Sequence, residues 1–376
     1  MSASTNSDGL PRWAGLVLLP AINLGAALVV SSLVILAIGE DPFTALAYMV
    51  KGAVGSGTGL SYTLYYATSL IFTGLAVAVA NHAGLFNIGG EGQAYVGGLG
   101  TGLVCLVLGG WGWPWYGVLP VAVLAGALFG AVWGVIPGYI QAYHGGHIVI
   151  TTIMFNFLAS ALMVYLLAGP LIEGGQMAPE SKEFAASVGL PAVKDIAAAL
   201  GYRTSTLPLN LSLVVALLCA VGVWFLIWHT RWGFQVRTVG ANDAAARYAG
   251  INARTTMVVA MAISGALAGL VGINELEGVQ HRVTLNFQAG MGFTGIAVAL
   301  MGRGHPLGIV LSSLLFGALY QGGAELSFEY NEISPRLVVV IQGVVILFSG
   351  ALEHMFRPAL VRLLKPKSPA GAGQRA

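Results

Sequence analysis

The chain has 376 residues, of which 56% are apolar, 9% are charged and 53 are glycine. Soluble domains average about 25% charge and about 7% glycine, and no water-soluble fold of this length hides so much apolar surface behind so few charges. A soluble globular enzyme, a disordered chain and a nucleic-acid binder are thereby excluded, and lipid is the solvent for most of the residues.

A membrane-crossing helix needs about 20 apolar residues, because it rises about 1.5 Å per residue across about 30 Å of hydrocarbon. Runs of this kind fall at 16–38, 61–80, 85–108, 118–137, 148–168, 209–229, 256–274, 290–302, 306–324 and 336–356. The sequence therefore predicts an all-α polytopic membrane protein of about ten transmembrane helices. A short segment, 1–15, precedes a single transmembrane domain at 16–356, and a polar tail follows at 357–376. The run at 16–38 is too long for the apolar region of a signal peptide and reads as a retained helix. Two runs look discontinuous: 85–108 is glycine-rich and 290–302 is too short for a full crossing. Cys105 and Cys219 lie inside apolar runs and form no disulfide framework.

Ten spans put both termini on one side. With the termini in the cytoplasm, eleven basic residues fall inside and six outside, the asymmetry expected of cytoplasmic loops. The carboxylates run the other way, with Glu275 and Glu277 counted outside and Glu91 the only carboxylate within a span. Two loops are long: 169–208 outside and 230–255 inside.

Where the second run meets the third, Asn81, His82, Asn87, Glu91 and Gln93 form a polar cluster flanked by Gly89, Gly90 and Gly92. An acid at the bilayer centre costs roughly 2.5–3.5 kcal/mol, so Glu91 must face protein or enclosed water. Two roles are open to it: bonding the backbone N–H groups of a broken helix, or contacting solute. His144 and His147 read as a polar turn with Gly145 and Gly146. Thr151, Thr152 and Asn156 follow on the fifth run, with 152 and 156 on one helical face. They either line an uncharged polar passage or bond between helices. No zinc-type spacing, phosphate loop or nucleophile elbow occurs, so neither a catalytic residue, a metal site nor a cofactor is expected.

In the inner loop Asn242 is an N-cap, Asp243 sits at the positive helix end, Ala244–Ala246 favour helix, and Gly250 offers the left-handed C′ position. A helix of about two turns is marginal alone in water, so a partner should pack on it; the alternative is an ordinary basic cytoplasmic loop that satisfies the orientation rule. The glycine-rich starts of the third run (Phe86, Gly89, Gly92) and the eighth (Phe287, Gly290, Gly292) also correspond in position. That suggests two five-helix halves in inverted repeat.

Four stretches carry a resemblance. "AGLFNIGGEGQAYVGG" (83–98) and "GFTGIAVALMGRGHPLGI" (292–309) resemble signatures of the branched-chain/ribose/nucleoside permease superfamily of ABC importers. "HIVITTIMFNFLA" (147–159) resembles its nucleoside branch, served by basic-membrane-protein-type receptors, and "GANDAAARYAGIN" (240–252) resembles the ATPase-coupling helix. The resemblance implies a permease subunit in a bacterial plasma membrane that moves nucleosides. A cytoplasmic ABC ATPase, a second homologous permease in a heterodimer and an extracytoplasmic binding protein would be its partners. It also implies ATPase coupling through Asn242, Asp243, Ala245, Arg247 and Gly250. Asn87, Glu91, Gln93, Thr151, Thr152 and Asn156 are the candidates for a path or gate taking a small neutral solute. Ribose or another simple sugar is the alternative solute. A self-sufficient facilitator or channel is the alternative of another class.

Overall fold

The computed structural model describes residues 19–193 except 38 and 176, then 195, 198, 207–329, 339–340 and 343–344. The segments expected at 1–15 and 357–376, and most of the run at 336–356, lie outside the described residues. Regular structure among the described residues is helical, apart from two isolated bridges. These residues fall in two compact units, the larger of which is Met49–Glu325. It holds every site discussed below.

Among the described residues twelve α-helices follow in order: α1 (Leu19–Ala37), α2 (Pro42–Val54), α3 (Gly57–His82), α4 (Gly90–Gly110), α5 (Trp115–His144), α6 (Ile148–Ala168), α7 (Ser212–His229), α8 (Arg231–Ala241), α9 (Asp243–Tyr248), α10 (Ala253–Gly269), α11 (Met291–Met301) and α12 (Pro306–Glu329). Seven described helical segments are long and apolar enough to cross a membrane: α3, α4, α5, α6, α7, α10 with its continuation to Gln280, and α12. The chain is thus an all-α, multi-pass membrane protein. The short eighth run is α11, eleven residues long.

Three differences from the expected elements bear on function. The third run does not start as helix at 85: α3 ends at His82, Gly84 turns in the left-handed region (φ +74°), and α4 starts only at Gly90. The inner loop carries two helices, α8 and α9, where a single short one was expected. The seventh run does not stop at 274, because a π-helix, Ile273–Gln280, prolongs α10.

That prolongation corrects two expectations. Glu275 and Glu277 are not in an outer loop but buried in the bundle, 2% and 0% exposed, and Glu91 is therefore not the only carboxylate in a span. A span read by hydropathy ends at its first carboxylates. Here the helix continues because neighbouring helices supply partners for Asn274 and Glu275.

The glycines are explained by packing. On α5, Gly126, Gly130 and Gly134 recur every fourth residue against Gly265 and Gly269 of α10 and Gly97 of α4. A Cβ at Gly130 would lie 2.2 Å from the Gly265 carbonyl oxygen, and one at Gly97 would lie 2.1 Å from Gly269 Cα. Lipid offers no hydrophobic drive between helices, so small residues that let backbones touch supply the association.

Candidate functional site at a broken-helix junction

The N-termini of α4 and α11 meet. A Cβ at Gly292 would lie 2.3 Å from the Glu91 backbone nitrogen, and one at Gly90 would lie 3.5 Å from the Gly292 carbonyl oxygen. Each helix start carries a positive partial charge of about half an electron, so two starts in contact repel unless an anion lies between them. Glu91, in the first turn of α4, supplies that anion. Its Oε1 accepts the Gly290 N–H at 2.9 Å and its Oε2 accepts the Gly292 N–H at 2.8 Å. Gly290 is the N-cap of α11 at φ +80°, a left-handed conformation that costs glycine nothing. Glu91 itself is half-buried.

The amides close the break. Asn87 Nδ2 donates to Gln93 Oε1 at 2.8 Å and to Ser264 Oγ at 2.9 Å, while its Oδ1 accepts the Gly89 N–H at 2.8 Å. Asn156 reaches across from α6: its Oδ1 accepts the Gly92 N–H at 2.9 Å and its Nδ2 donates to the Ile88 carbonyl at 3.1 Å. Backbone that leaves a helix inside a bilayer must have its N–H and C=O groups satisfied by protein, and Asn87 and Asn156 satisfy them here. Thr152 is buried beside Gly89 and bonds back to the Ile148 carbonyl, whereas Thr151 is half-buried and bonds back to His147. The structure thus brings Asn87, Glu91, Gln93, Thr152 and Asn156 to one junction and leaves Thr151 at its edge.

The inner-loop helix is a pinned projection. Asn242 Oδ1 accepts the Ala245 N–H at 3.0 Å, and Asp243 pairs with Arg247 at 2.6 Å across one turn. At the other end Gly250 (φ +77°) donates to the Arg247 carbonyl and Ile251 to the Ala246 carbonyl, each at 3.0 Å. That is the paired closure of a helix by a left-handed glycine. Ala246 is buried with Val239 and Ala253, with Ile251 and Met257 packed against them. Ala244, Ala245, Arg247 and Tyr248 are exposed, Tyr248 at 95%. At its base the projection touches the junction: a Cβ at Gly240, in the last turn of α8, would lie 2.2 Å from the His82 carbonyl oxygen and 2.9 Å from the Gly84 nitrogen. Residues 82–84 lead directly into the break.

One polar centre was missed by sequence reasoning. Glu275 accepts hydrogen bonds from the Tyr65 hydroxyl and from Ser69 Oγ, the latter at 2.7 Å. Asn274 Nδ2 donates to Ser69 Oγ at 2.8 Å and to the Tyr65 carbonyl at 3.1 Å, and Asn274 Oδ1 accepts from Ser212 Oγ at 2.7 Å. The signal was present: Tyr65 and Ser69 share one face of α3 at i, i+4 spacing, and no proline stops the seventh run before Gln280.

A multi-pass helical bundle with discontinuous helices and a capped inner-loop projection has the build of a transport permease. The chain belongs to the family described as the permease component of branched-chain amino acid transport systems, whose model matches residues 59–350. It is similar to a glucose ABC transporter permease of Haloferax volcanii (35% identical; 90% of this chain and 88% of that protein covered). It is similar to a guanosine ABC transporter permease of Bacillus subtilis (34%; 88% and 92%) and a nucleoside ABC transporter permease of Lactococcus lactis (32%; 94% and 94%). No solved structure matches the chain. It is a permease component of an ABC transporter, a transport subunit and not an enzyme.

Proposed function

We propose that this permease forms the path for nucleosides in a bacterial ABC importer, with both termini in the cytoplasm and energy drawn from a separate ATPase seated on α9. The family and the relatives that carry guanosine and nucleosides support this reading. In it the chain crosses the membrane ten times in two inverted five-helix halves, with α4 and α11 as the paired discontinuous helices. A second homologous permease completes the path as a heterodimer, and an extracytoplasmic binding protein delivers the solute.

The observation that carries the coupling role is the contact at the base of the projection. Its tip is exposed to a partner, while Gly240 abuts His82 and Gly84. ATPase closure displaces α9, α8 moves with it, and residues 82–89 shift the α4 start against α11. Asn87, Glu91, Gln93, Thr152 and Asn156 form the gate at that junction, and Thr151 lines its edge. ATP moves the equilibrium only through contacts that differ between the two states, and Asn242, Asp243, Ala245, Arg247 and Gly250 shape the surface that makes them.

The test is import by the complete transporter in proteoliposomes. Labelled guanosine should accumulate with ATP, with excess unlabelled guanosine competing and glucose not. Arg247→Glu and Gly250→Pro should abolish accumulation and solute-stimulated ATP hydrolysis while leaving membrane insertion intact. Normal import by both variants contradicts coupling at α9. A simple sugar is the second reading, favoured by the Haloferax volcanii relative, and competition by glucose instead of guanosine would select it.

A further inference from the structure

We propose that Tyr66 and Tyr320, with Tyr62 beside them, form a stacking subsite for the nucleobase of the solute in transit; this rests on the nucleoside reading above. The starting point is Glu91. A partly exposed carboxylate among membrane-spanning helices cannot face acyl chains, so its side of the bundle faces water or the passage. On that side lies the first turn of α11, with Phe293 49% exposed. Thr294, one turn in, bonds the Tyr320 hydroxyl at 2.9 Å.

Tyr320 of α12 stacks on Tyr66 of α3, with ring centroids 5.5 Å apart and planes inclined by 28°. Tyr62 lies one turn from Tyr66, with centroids 6.5 Å apart. All three rings are half-buried, so each keeps part of its surface open. Tyr66 and Tyr320 are too deep for an interfacial aromatic belt. Tyr66 lies nine residues in from the start of α3 and Tyr320 nine from the end of α12, each about 13 Å along its helix at about 1.5 Å per residue.

The ligand class follows from which groups are engaged and which are open. A sugar is read by a comb of amides and carboxylates. Here the side chains of Asn87, Gln93, Asn156 and Glu91 are engaged with protein groups. Open aromatic surface is what the face still offers, and a planar heteroaromatic ring uses it by continuing a stack that is already built. Tyrosine orders only two side-chain torsions, so little entropy is lost in presenting the surface.

The experiment uses the complete transporter with its ATPase and binding protein in proteoliposomes. Tyr66→Ala and Tyr320→Ala should each lower maximal guanosine import about tenfold. They should lower uridine import less, because the smaller base stacks over less area. Tyr66→Phe should keep wild-type import. In parallel, 8-azidoguanosine is photolysed on the wild-type complex and the adducts are mapped by mass spectrometry. Label on the peptides carrying Tyr62–Tyr66 and Tyr320, displaced by guanosine, supports the subsite even if the alanine variants fail to assemble. Wild-type rates in assembled alanine variants, equal losses for guanosine and uridine, or label confined to other helices overturn it while the nucleoside reading stands. A wild-type transporter that imports no nucleoside removes both.

Discussion

Glu91 meets two requirements with one side chain: it neutralises a pair of abutting helix starts, and it occupies two N–H groups that the bilayer would leave unsatisfied. Glu91→Gln keeps the shape and removes the charge. A hydrogen bond to a charged group contributes about 1.5–3 kcal/mol, so this variant should unfold at lower temperature in detergent, visible as a lowered midpoint of thermal unfolding. Asn156→Ala strands the Gly92 N–H and the Ile88 carbonyl, and should destabilise by about 1–3 kcal/mol per orphaned group; the same melting assay reads it. The place of Glu91 was legible in the sequence, because an acid amid glycines inside an apolar run has few places to be. Its partners were not, since Gly290 and Gly292 lie some two hundred positions away in the chain and no local pattern announces the contact. Glu275 and Glu277 were misread for a related reason. Hydropathy counts charges, whereas the π-helix carries both residues on into the bundle, where Tyr65 and Ser69 of α3 bond Glu275.

At the scale of elements, α9 was the most legible feature, because its stability is local. Asn242, Asp243, Arg247 and Gly250 all act within ten residues, and each does so as its type predicts. Asn242→Ala removes a cap contributing about 1 kcal/mol, and Gly250→Ala forces a side chain into the left-handed region at a cost of about 1–2 kcal/mol. Both should loosen the projection, seen as faster hydrogen exchange over 243–250, with a fall in solute-stimulated ATP hydrolysis. Helix α8 was missed because its register shows only against the helices it packs on, α7, α9, α10 and α3. The tight fit of α5 against α10 makes a sharper prediction. Even a bare Cβ at Gly269 would come within 2.2 Å of the Gly126 carbonyl oxygen. Gly269→Leu drives a whole side chain into that oxygen, and should abolish a folded, extractable protein by size-exclusion chromatography.

For the whole molecule, the consequential arrangement is continuity. One span, α10 with its π-helical extension, starts beside the projection with Asn252 as its N-cap, packs against both α4 and α5, and carries the buried Glu275 and Glu277 near its end at Gln280. At its far end Leu190 donates to the Glu277 carbonyl at 3.3 Å, and Phe184 to the His281 carbonyl at 2.7 Å, so residues 184–190 lie against that same end. That the chain lives in a membrane was legible from composition alone, the approximate spans from hydropathy, and the permease family from four short stretches of sequence. Where spans break, and what meets at the breaks, depends on contacts distant in sequence. A permease that holds a path but draws energy elsewhere should show no concentrative uptake when reconstituted by itself, and ATP-dependent uptake once its ATPase and receptor are added; accumulation by the lone chain would refute the dependence.

The glycine seam along α5 carries a mechanical corollary. Surfaces made of bare backbone have no protruding knobs to lift out of their holes when they slip. Lengthwise is therefore the direction in which such a seam has the fewest side chains to disengage.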